Sequence, residues 1–337
     1  MEAVLAIATR LSEQAALPPP AAAARLSGGK NNRVFRITDR KGNDRILKLY
    51  HVSPTDSRDR LGVEWRFLAY ARARGIGSVP EPLAMDRGDH AALYTLKPGD
   101  KLRPGEVTTA HVEAALAFII ALNRGPRNAG DMAPGSEACF SLADHLATVA
   151  RRVARLRDLD RMAPHGAEAV ALVEERLAPA WARCAEQIAA LPAIETARTL
   201  APTERIVSPS DFGFHNALVA GTKVSFIDFE YAGLDDPAKL VGDFFTVPEI
   251  PTPVASLESF IDGLEAGLSL GADFGRRARL LRDAYRIKWA CIILNDFLAP
   301  DEARRAFALD TDRAARCRAQ LDKAAALLAL LQQGGRC

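Results

Sequence analysis

Residues Ile206–Tyr231 read IVSPSDFGFHNALVAGTKVSFIDFEY. Asp211 and Asn216 lie five residues apart, just after the apolar pair Ile206 and Val207. Twelve residues past Asn216 comes Asp228, inside Val224–Phe229, whose alternation reads as a strand. Gly221 sits between the two pieces as a turn residue, beside Thr222 and Lys223. The pattern predicts a loop carrying Asp211 and Asn216, a short hairpin, and a second carboxylate at a strand end. Two carboxylates and an amide carbonyl then converge, and all three are hard oxygen donors of the kind Mg²⁺ takes in small number while keeping waters. A carboxylate left over would accept a proton from a hydroxyl nucleophile.

Working outward, the N-terminal third carries strand signals. Residues 2–16 suit a short helix, stopped by Pro18–Pro20. Ala21–Leu26 leads into a turn-rich group, Ser27–Asn32, and then an alternating run over Val34–Thr38. Lys41–Asp44 (KGND) marks a turn before a second strand over Arg45–Tyr50. Ser57–Arg74 changes to helical period, ended by Gly75 and Gly77, and Ala91–Leu96 returns to strand before Pro98 and Gly99. After Pro104 the chain reads as helices over Thr109–Leu122, Leu142–Asp158, Ala167–Leu191, Leu257–Leu268, Arg276–Phe297 and Thr311–Leu331. The expected organisation is α+β and two-lobed, with an N-terminal extension (1–24), a small β-rich lobe (25–97) and a helical lobe (98–337) that holds the chemical loop.

Composition bounds the function. At 337 residues, 48% apolar and 26% charged, the chain is an ordinary globular protein with room for two lobes around a cleft. A formal net charge of +2 gives no reason to invoke nucleic acid or an anionic membrane as partner. Five cysteines, an odd number with no CxxC pair, argue against a zinc ribbon or a disulfide scaffold and for a reducing compartment. No apolar run approaches the length of a membrane span, and Met1–Arg10 has no cationic region before an apolar one. The cytoplasm is the expected location. The leucines of the last helix, Leu327, Leu328, Leu330 and Leu331, are expected to pack on the body or to meet a second subunit in a homodimer.

Three features follow one another in order: a turn-rich loop between strands, a strand lysine, and the Asp–Asn–Asp set. Together they resemble the aminoglycoside phosphotransferase and choline kinase family, small-molecule relatives of the protein kinases, from about Leu26 to Trp289 and most closely over 208–245. The resemblance implies a two-lobed protein-kinase-like fold, with ATP and Mg²⁺ as cofactors and a small hydroxylated substrate. It implies Asp211 as the catalytic aspartate, and Asn216 and Asp228 as the metal ligands. Lys48 resembles the strand lysine that contacts the ATP phosphates, Glu64 its ion-pair partner, and Ser27–Arg33, with Ser27, Gly28 and Gly29, the loop that covers the phosphates. Thr95–Lys97 resembles the hinge that binds adenine through its backbone, and Asp243 the buried aspartate that braces the catalytic loop. The chain departs from the family where Pro209 and Ser210 replace a His-Gly pair and where Gly213 replaces a basic residue. His215 is the candidate to supply the missing cation, and Glu230 a candidate to assist the metal or reach the substrate.

Each residue also has a plainer reading. Asp236 before Pro237 suits a helix cap. Tyr231, Tyr285, Trp289 and Phe297 suit either core packing or an aromatic cage for a quaternary amine such as choline. An amino sugar would instead call for carboxylates, with Asp262, Glu265 and Asp296 as candidates. The expected function is an ATP-dependent phosphotransferase acting on an amino sugar, an amino alcohol or a sugar. The alternative is a nucleotide-binding pseudokinase with a regulatory or scaffold role. The connection between 228 and 243 is too short for a long activation segment, which argues against a protein substrate.

Overall fold

Strand alternation assigns each N-terminal residue to one of two packed faces. In the computed structural model, which describes residues 1–26, 32–52, 58–125, 132–271, 273–298 and 312–332, helix α1 spans Glu2–Gln14, and strands β1 (Pro20–Leu26), β2 (Arg33–Asp39) and β3 (Asp44–Leu49) follow. Helix α2 (Arg60–Ala73) precedes β4 (Pro82–Asp86) and β5 (Ala91–Thr95). The five strands form one antiparallel sheet in the order β1-β2-β3-β5-β4. Phe35, Ile37, Leu47, Ala91 and Leu93 point to one face and pack with Val4, Ala8 and Leu11 of α1. The intervening residues Tyr50, Ala92 and Tyr94 point to the other face and pack with Leu61, Phe67, Leu68 and Ala71 of α2. Lys48 shares this inner face by the same period.

The KGND turn forms as its residue types require. Asp39 Oδ1 accepts the N–H groups of Lys41 (2.8 Å) and Asn43 (3.0 Å), and Gly42 takes φ +82°. The Asp59 side chain accepts the N–H of Gly62 (2.9 Å) and so starts α2. The boundary expected at residue 24 falls inside β1. That strand reads PAAAARL, which carries no polar–apolar alternation and is mostly exposed at the sheet edge, so no period marked it. Helix α1 covers a sheet face that would otherwise expose the apolar side of β2, β3 and β5.

The remainder is helical around two short antiparallel strand pairs, of which one is a hairpin. Helices α3 (Thr109–Asn123), α4 (Leu142–Arg155), α5 (Gly166–Leu172), α6 (Ala178–Ala189) and α7 (Ala193–Thr196) come first. Strands β6 (Ile206–Ser208), β7 (Ala217–Ala220), β8 (Lys223–Phe226) and β9 (Gly233–Asp235) follow, then α8 (Pro237–Phe244), α9 (Leu257–Leu268), α10 (Phe274–Leu294) and α11 (Arg313–Gln332). The single helix expected over Ala167–Leu191 is broken into α5 and α6 by a wide π turn at Val173–Leu177. Pro179, which has no N–H to return to the preceding turn, sits at the start of α6. In α11, Leu321, Leu327 and Leu328 are buried within the chain, and Leu330 is exposed. Among the described residues no helix is long and apolar enough to cross a membrane.

A run of buried phenylalanines ties these parts to the chemical loop. Phe118 of α3 stacks on Phe226 (4.8 Å between centroids), Phe212 on Phe244 of α8 (5.1 Å), and Phe244 on Phe260 of α9 (5.0 Å). Phe229 continues the stack to Phe67 of α2 (4.4 Å), so the small sheet and the helical part share one core. Burying each ring contributes roughly 2–3 kcal/mol. The linker after β5 is pinned as well. Asp100 exchanges backbone hydrogen bonds with Val219 of β7 at 3.0 and 2.9 Å. Gly99 reaches this position at φ +119°, where a Cβ would lie 2.6 Å from the Val219 carbonyl.

Beneath β6 and β9 lies a layer of paired charges. Lys239 Nζ donates to Asp235 (2.5 Å), and Arg277 donates to both oxygens of Asp236 (3.2 and 3.1 Å). His145 is fully buried, with Nε2 3.3 Å from Asp236 and Nδ1 2.6 Å from the Tyr285 hydroxyl. Burial works against its charged form, but the hydrogen bond to Asp236 and the neighbouring Cys139 outweigh it, and its pKa rises to about 9. A raised folded-state value contributes stability that is complete below the ordinary histidine pKa and lost as pH climbs through about 9. Unfolding free energy is therefore expected to fall by about 3 kcal/mol between pH 6 and pH 10 through this group. His145→Gln should flatten that part of the profile in denaturant melts across pH. An equally steep profile in the variant would assign the loss to other groups.

Candidate active site

The site grows out of the β6–β9 pair. Ser208 lies opposite Gly233 in that pair, and its hydroxyl accepts the N–H of Ser210 (3.1 Å), which turns the chain out of the strand. Ser210 turns at φ +64°, in the left-handed region. This is the position where the family pattern places glycine, and a Cβ there costs about 1 kcal/mol. The Ser210 hydroxyl is buried with no hydrogen-bond partner among the described residues. Ser210→Gly is therefore expected to raise stability by about 0.5–1 kcal/mol in thermal melts. A lower melting midpoint would show that the hydroxyl does more than fill space.

Asp211 follows at once, with its side chain 34% exposed. Its backbone carbonyl and its Oδ2 accept the Asn216 amide at 3.0 and 3.4 Å, which closes the loop. His215 Nε2 lies 3.2 Å from Asp211 Oδ1. The His215 ring folds back over Gly213, where a Cβ would sit 2.7 Å from its Nδ1, so the missing side chain at 213 makes room for this ring. The edge of Trp289 lies against it at 6.5 Å between centroids.

The β7–β8 hairpin brings the third donor in. Its register pairs Ala217 with Phe226, and the Ile227 N–H donates to the Asn216 carbonyl (2.9 Å). Asp228 is thereby delivered beside Asn216. It adopts φ +69°, an unfavoured conformation for a residue with a Cβ. Its side chain is 42% exposed, and Lys48 Nζ holds Oδ1 at 2.5 Å. Lys48 also donates to Glu64 Oε2 (2.6 Å). Burial opposes charge on Lys48, but Asp228, Glu64 and Glu230 outweigh it, so its pKa stands well above the ordinary lysine value. Burial lifts the Glu64 carboxyl above its usual range, with Lys48 pulling the other way. Glu64 Oε1 accepts the N–H of Phe229 (3.3 Å) and so joins α2 to the segment after Asp228.

Glu230 is buried and joins Asn32, at the start of β2, to the helical part. Its carboxylate lies 3.7 Å from Arg60 and 3.9 Å from Lys48. Thr95 is tied to Glu81 through its N–H (3.0 Å) and its hydroxyl (2.8 Å), and Lys97 Nζ donates to the Gly77 carbonyl (2.8 Å). Among the described residues, the N–H groups of Leu96 and Lys97 make no backbone hydrogen bond. Ser27, Gly28 and Gly29 lie outside the described residues.

Some expected residues sit elsewhere. Asp243 is buried, but both its oxygens bind Lys288 of α10 at 2.8 Å rather than the catalytic loop. The loop is held by Ser208 and by Asn216, and the strand beneath it by Asp235, which accepts the N–H groups of Cys139 (3.0 Å) and Asp236 (2.9 Å). Asp236 caps α8 through the N–H of Ala238 (2.8 Å). Tyr285 and Phe297 are core residues, and Tyr231 lies under the guanidinium groups of Arg58 and Arg60. Glu265 accepts the N–H of Gly275 at the start of α10 (3.2 Å), Asp296 is buried and Asp262 is exposed, so these three form no acidic groove.

The donor set fits Mg²⁺ held together with phosphates. Asp228 has its second carboxylate oxygen free of Lys48, and Asn216 commits its amide nitrogen to Asp211 and keeps its side-chain Oδ1 for a metal. Among the described residues no group of three or more His, Cys, Asp or Glu side chains is gathered to hold a metal alone. This suits a cation that is bound through one or two carboxylates plus substrate oxygens.

The phosphotransferase enzyme family matches residues 22–281, and the chain belongs to that family. No curated protein matches the sequence. Its fold is similar to that of the macrolide 2'-phosphotransferase MphH from Brachybacterium faecium (TM-score 0.58, 17% identity, covering 93% of this chain and 99% of that one). It is also similar to a spectinomycin phosphotransferase, APH(9)-Ia, solved with ADP and spectinomycin (0.60, 11%, 92% and 94%). A choline kinase from Cryptosporidium parvum Iowa II compares in the same way (0.56, 12%, 92% and 90%). The two-lobed, protein-kinase-like α+β fold is thereby shown.

Proposed function

We propose, with membership of the phosphotransferase enzyme family as the premise, that the chain moves the γ-phosphate of ATP to a hydroxyl of a small molecule. The observation that carries this reading is the meeting of Lys48, Glu64 and Asp228 beside Asp211 and Asn216. A buried lysine held between two carboxylates is a cation placed to receive phosphate oxygens. Asn216 and Asp228 would hold Mg²⁺, which neutralises charge on the phosphates. Asp211 would accept the proton of the acceptor hydroxyl as its oxygen bonds to the γ-phosphorus, while the bond to the β-phosphate breaks and ADP leaves. Leu96 and Lys97 offer unused backbone N–H groups for the adenine edge. His215 would steady Asp211 from 3.2 Å. His215→Ala is expected to lower transfer by about tenfold, read as ADP release, and full activity in that variant would end this role.

The acceptor is a small hydroxylated molecule of the amino sugar, amino alcohol or sugar class. Of the aromatic candidates for holding an amino alcohol, Tyr285 and Phe297 are buried and the Tyr231 ring carries two guanidinium groups at 5.2 and 6.0 Å, whereas Trp289 is half-buried against His215 beside Asp211. Of the carboxylate candidates for an amino sugar, Glu265 is tied to the start of α10, Asp296 is buried and Asp262 is exposed. The test is calorimetry of the wild-type chain with AMP-PNP, with and without Mg²⁺, followed by an acceptor screen. Binding that depends on metal is expected. No binding at all would overturn the reading, and tight binding indifferent to metal, with no transfer, would favour a pseudokinase.

A further inference from the structure

Glu64 Oε2 accepts two hydrogen bonds at once, from Lys48 Nζ and from the Tyr50 hydroxyl, both at 2.6 Å. The Tyr50 hydroxyl also lies 2.6 Å from that of Tyr94. Tyr50 has one hydroxyl proton and gives it to the carboxylate, so the proton between the two rings comes from Tyr94. All four side chains are buried. A directed line of hydrogen bonds therefore runs from Tyr94 through Tyr50 and Glu64 to Lys48 and Asp228. It begins at the residue before Thr95 and ends at the proposed metal ligand. Two buried hydroxyls are costly unless they are used, and phenylalanine would pack as well at either position. Here both hydroxyls face the one carboxylate that holds Lys48.

We infer that Tyr50 is a positioning residue for nucleotide phosphate binding and that Tyr94 acts through it. The inference rests on the nucleotide reading above. Lys48 is a long side chain with many rotamers, and Glu64 has three rotatable bonds of its own. With Oε1 on the Phe229 N–H and Oε2 on Tyr50, the carboxylate has one orientation, and Lys48 is aimed by it. When phosphates arrive, Lys48 exchanges Asp228 for them, and Glu64 holds the lysine in place during the exchange. The Tyr50 ring itself lies 5.0 Å from Lys48 Nζ. Phenylalanine keeps that contact, so Tyr50→Phe removes the hydroxyl alone.

The test uses the full chain with two probes, Mg²⁺–AMP-PNP and adenosine, which lacks phosphates. Tyr50→Phe is expected to bind AMP-PNP about tenfold more weakly and adenosine unchanged. Tyr94→Phe should lose less, and the double variant should be no worse than Tyr50→Phe, because among the described residues the hydrogen bond of the Tyr94 hydroxyl is to Tyr50. Wild-type affinity of Tyr50→Phe for AMP-PNP would overturn the inference. So would an equal loss for adenosine, which would mean general loosening, or additive losses in the double variant. A wild-type chain that binds no AMP-PNP would sink the nucleotide reading itself and this inference with it, whereas normal wild-type binding with an unaffected Tyr50→Phe sinks the inference alone.

Discussion

Replacing Asp211 by asparagine is expected to slow phosphoryl transfer about 10³-fold, roughly 4 kcal/mol of barrier, while nucleotide affinity stays within a factor of two. The expectation separates what Asp211 does from what its neighbours do. Its backbone carbonyl, not its side chain, takes the shorter bond from Asn216, so the loop keeps its closure in the variant. The side chain is partly exposed, so an amide of the same shape is accommodated. What the amide cannot do is take the proton of the attacking hydroxyl. Only one of its two terminal atoms can accept a hydrogen bond, so His215 and Asn216 also lose the choice of two oxygens. The measurement is ADP release with the best acceptor from a panel of amino sugars, amino alcohols and sugars, beside calorimetry with Mg²⁺–AMP-PNP. Transfer within tenfold of wild type would remove Asp211 as the base.

Much of this site is legible in the sequence because its donors lie close together along the chain. Five residues separate Asp211 from Asn216, and the hairpin register that brings Asp228 alongside is set by the turn at Gly221. Lys48 and Glu64 are legible for a different reason. Period two puts Lys48 on the inner face of β3, and a helix packed on that face must present some residue to it. The partners that hold these groups are not legible. Tyr50 and Tyr94 read as two more apolar positions of their strands, since nothing local says that their hydroxyls meet 44 residues apart. Asp243 resembles the bracing aspartate of the family by its order along the chain, and order alone does not name its partner. Its actual partner, Lys288, comes from a helix 45 residues on. Strand β1 and the packing of α1 escaped for want of alternation and of any local partner.

Asp228→Asn should weaken Mg²⁺–AMP-PNP binding by 10-fold to 100-fold and remove most of its metal dependence, with little change in the fold. Asparagine is a clean substitution here because Asp228 sits at φ +69°, where asparagine is among the few residues tolerated. The backbone that places Phe229 against Glu64 is therefore kept. The charge is what changes. Lys48 loses one of two close carboxylates but keeps Glu64, so it is not left as an uncompensated buried cation, a situation that would cost several kcal/mol. Without metal, the variant should bind AMP-PNP as well as wild type does or better, because Lys48 is no longer held by a competing carboxylate. Opposite shifts in the presence and absence of Mg²⁺ distinguish a metal ligand from a structural aspartate, whose loss would weaken both alike. Equal weakening in the two conditions, or a large drop in melting midpoint, would place Asp228 in the scaffold and leave Asn216 without its proposed partner on the metal.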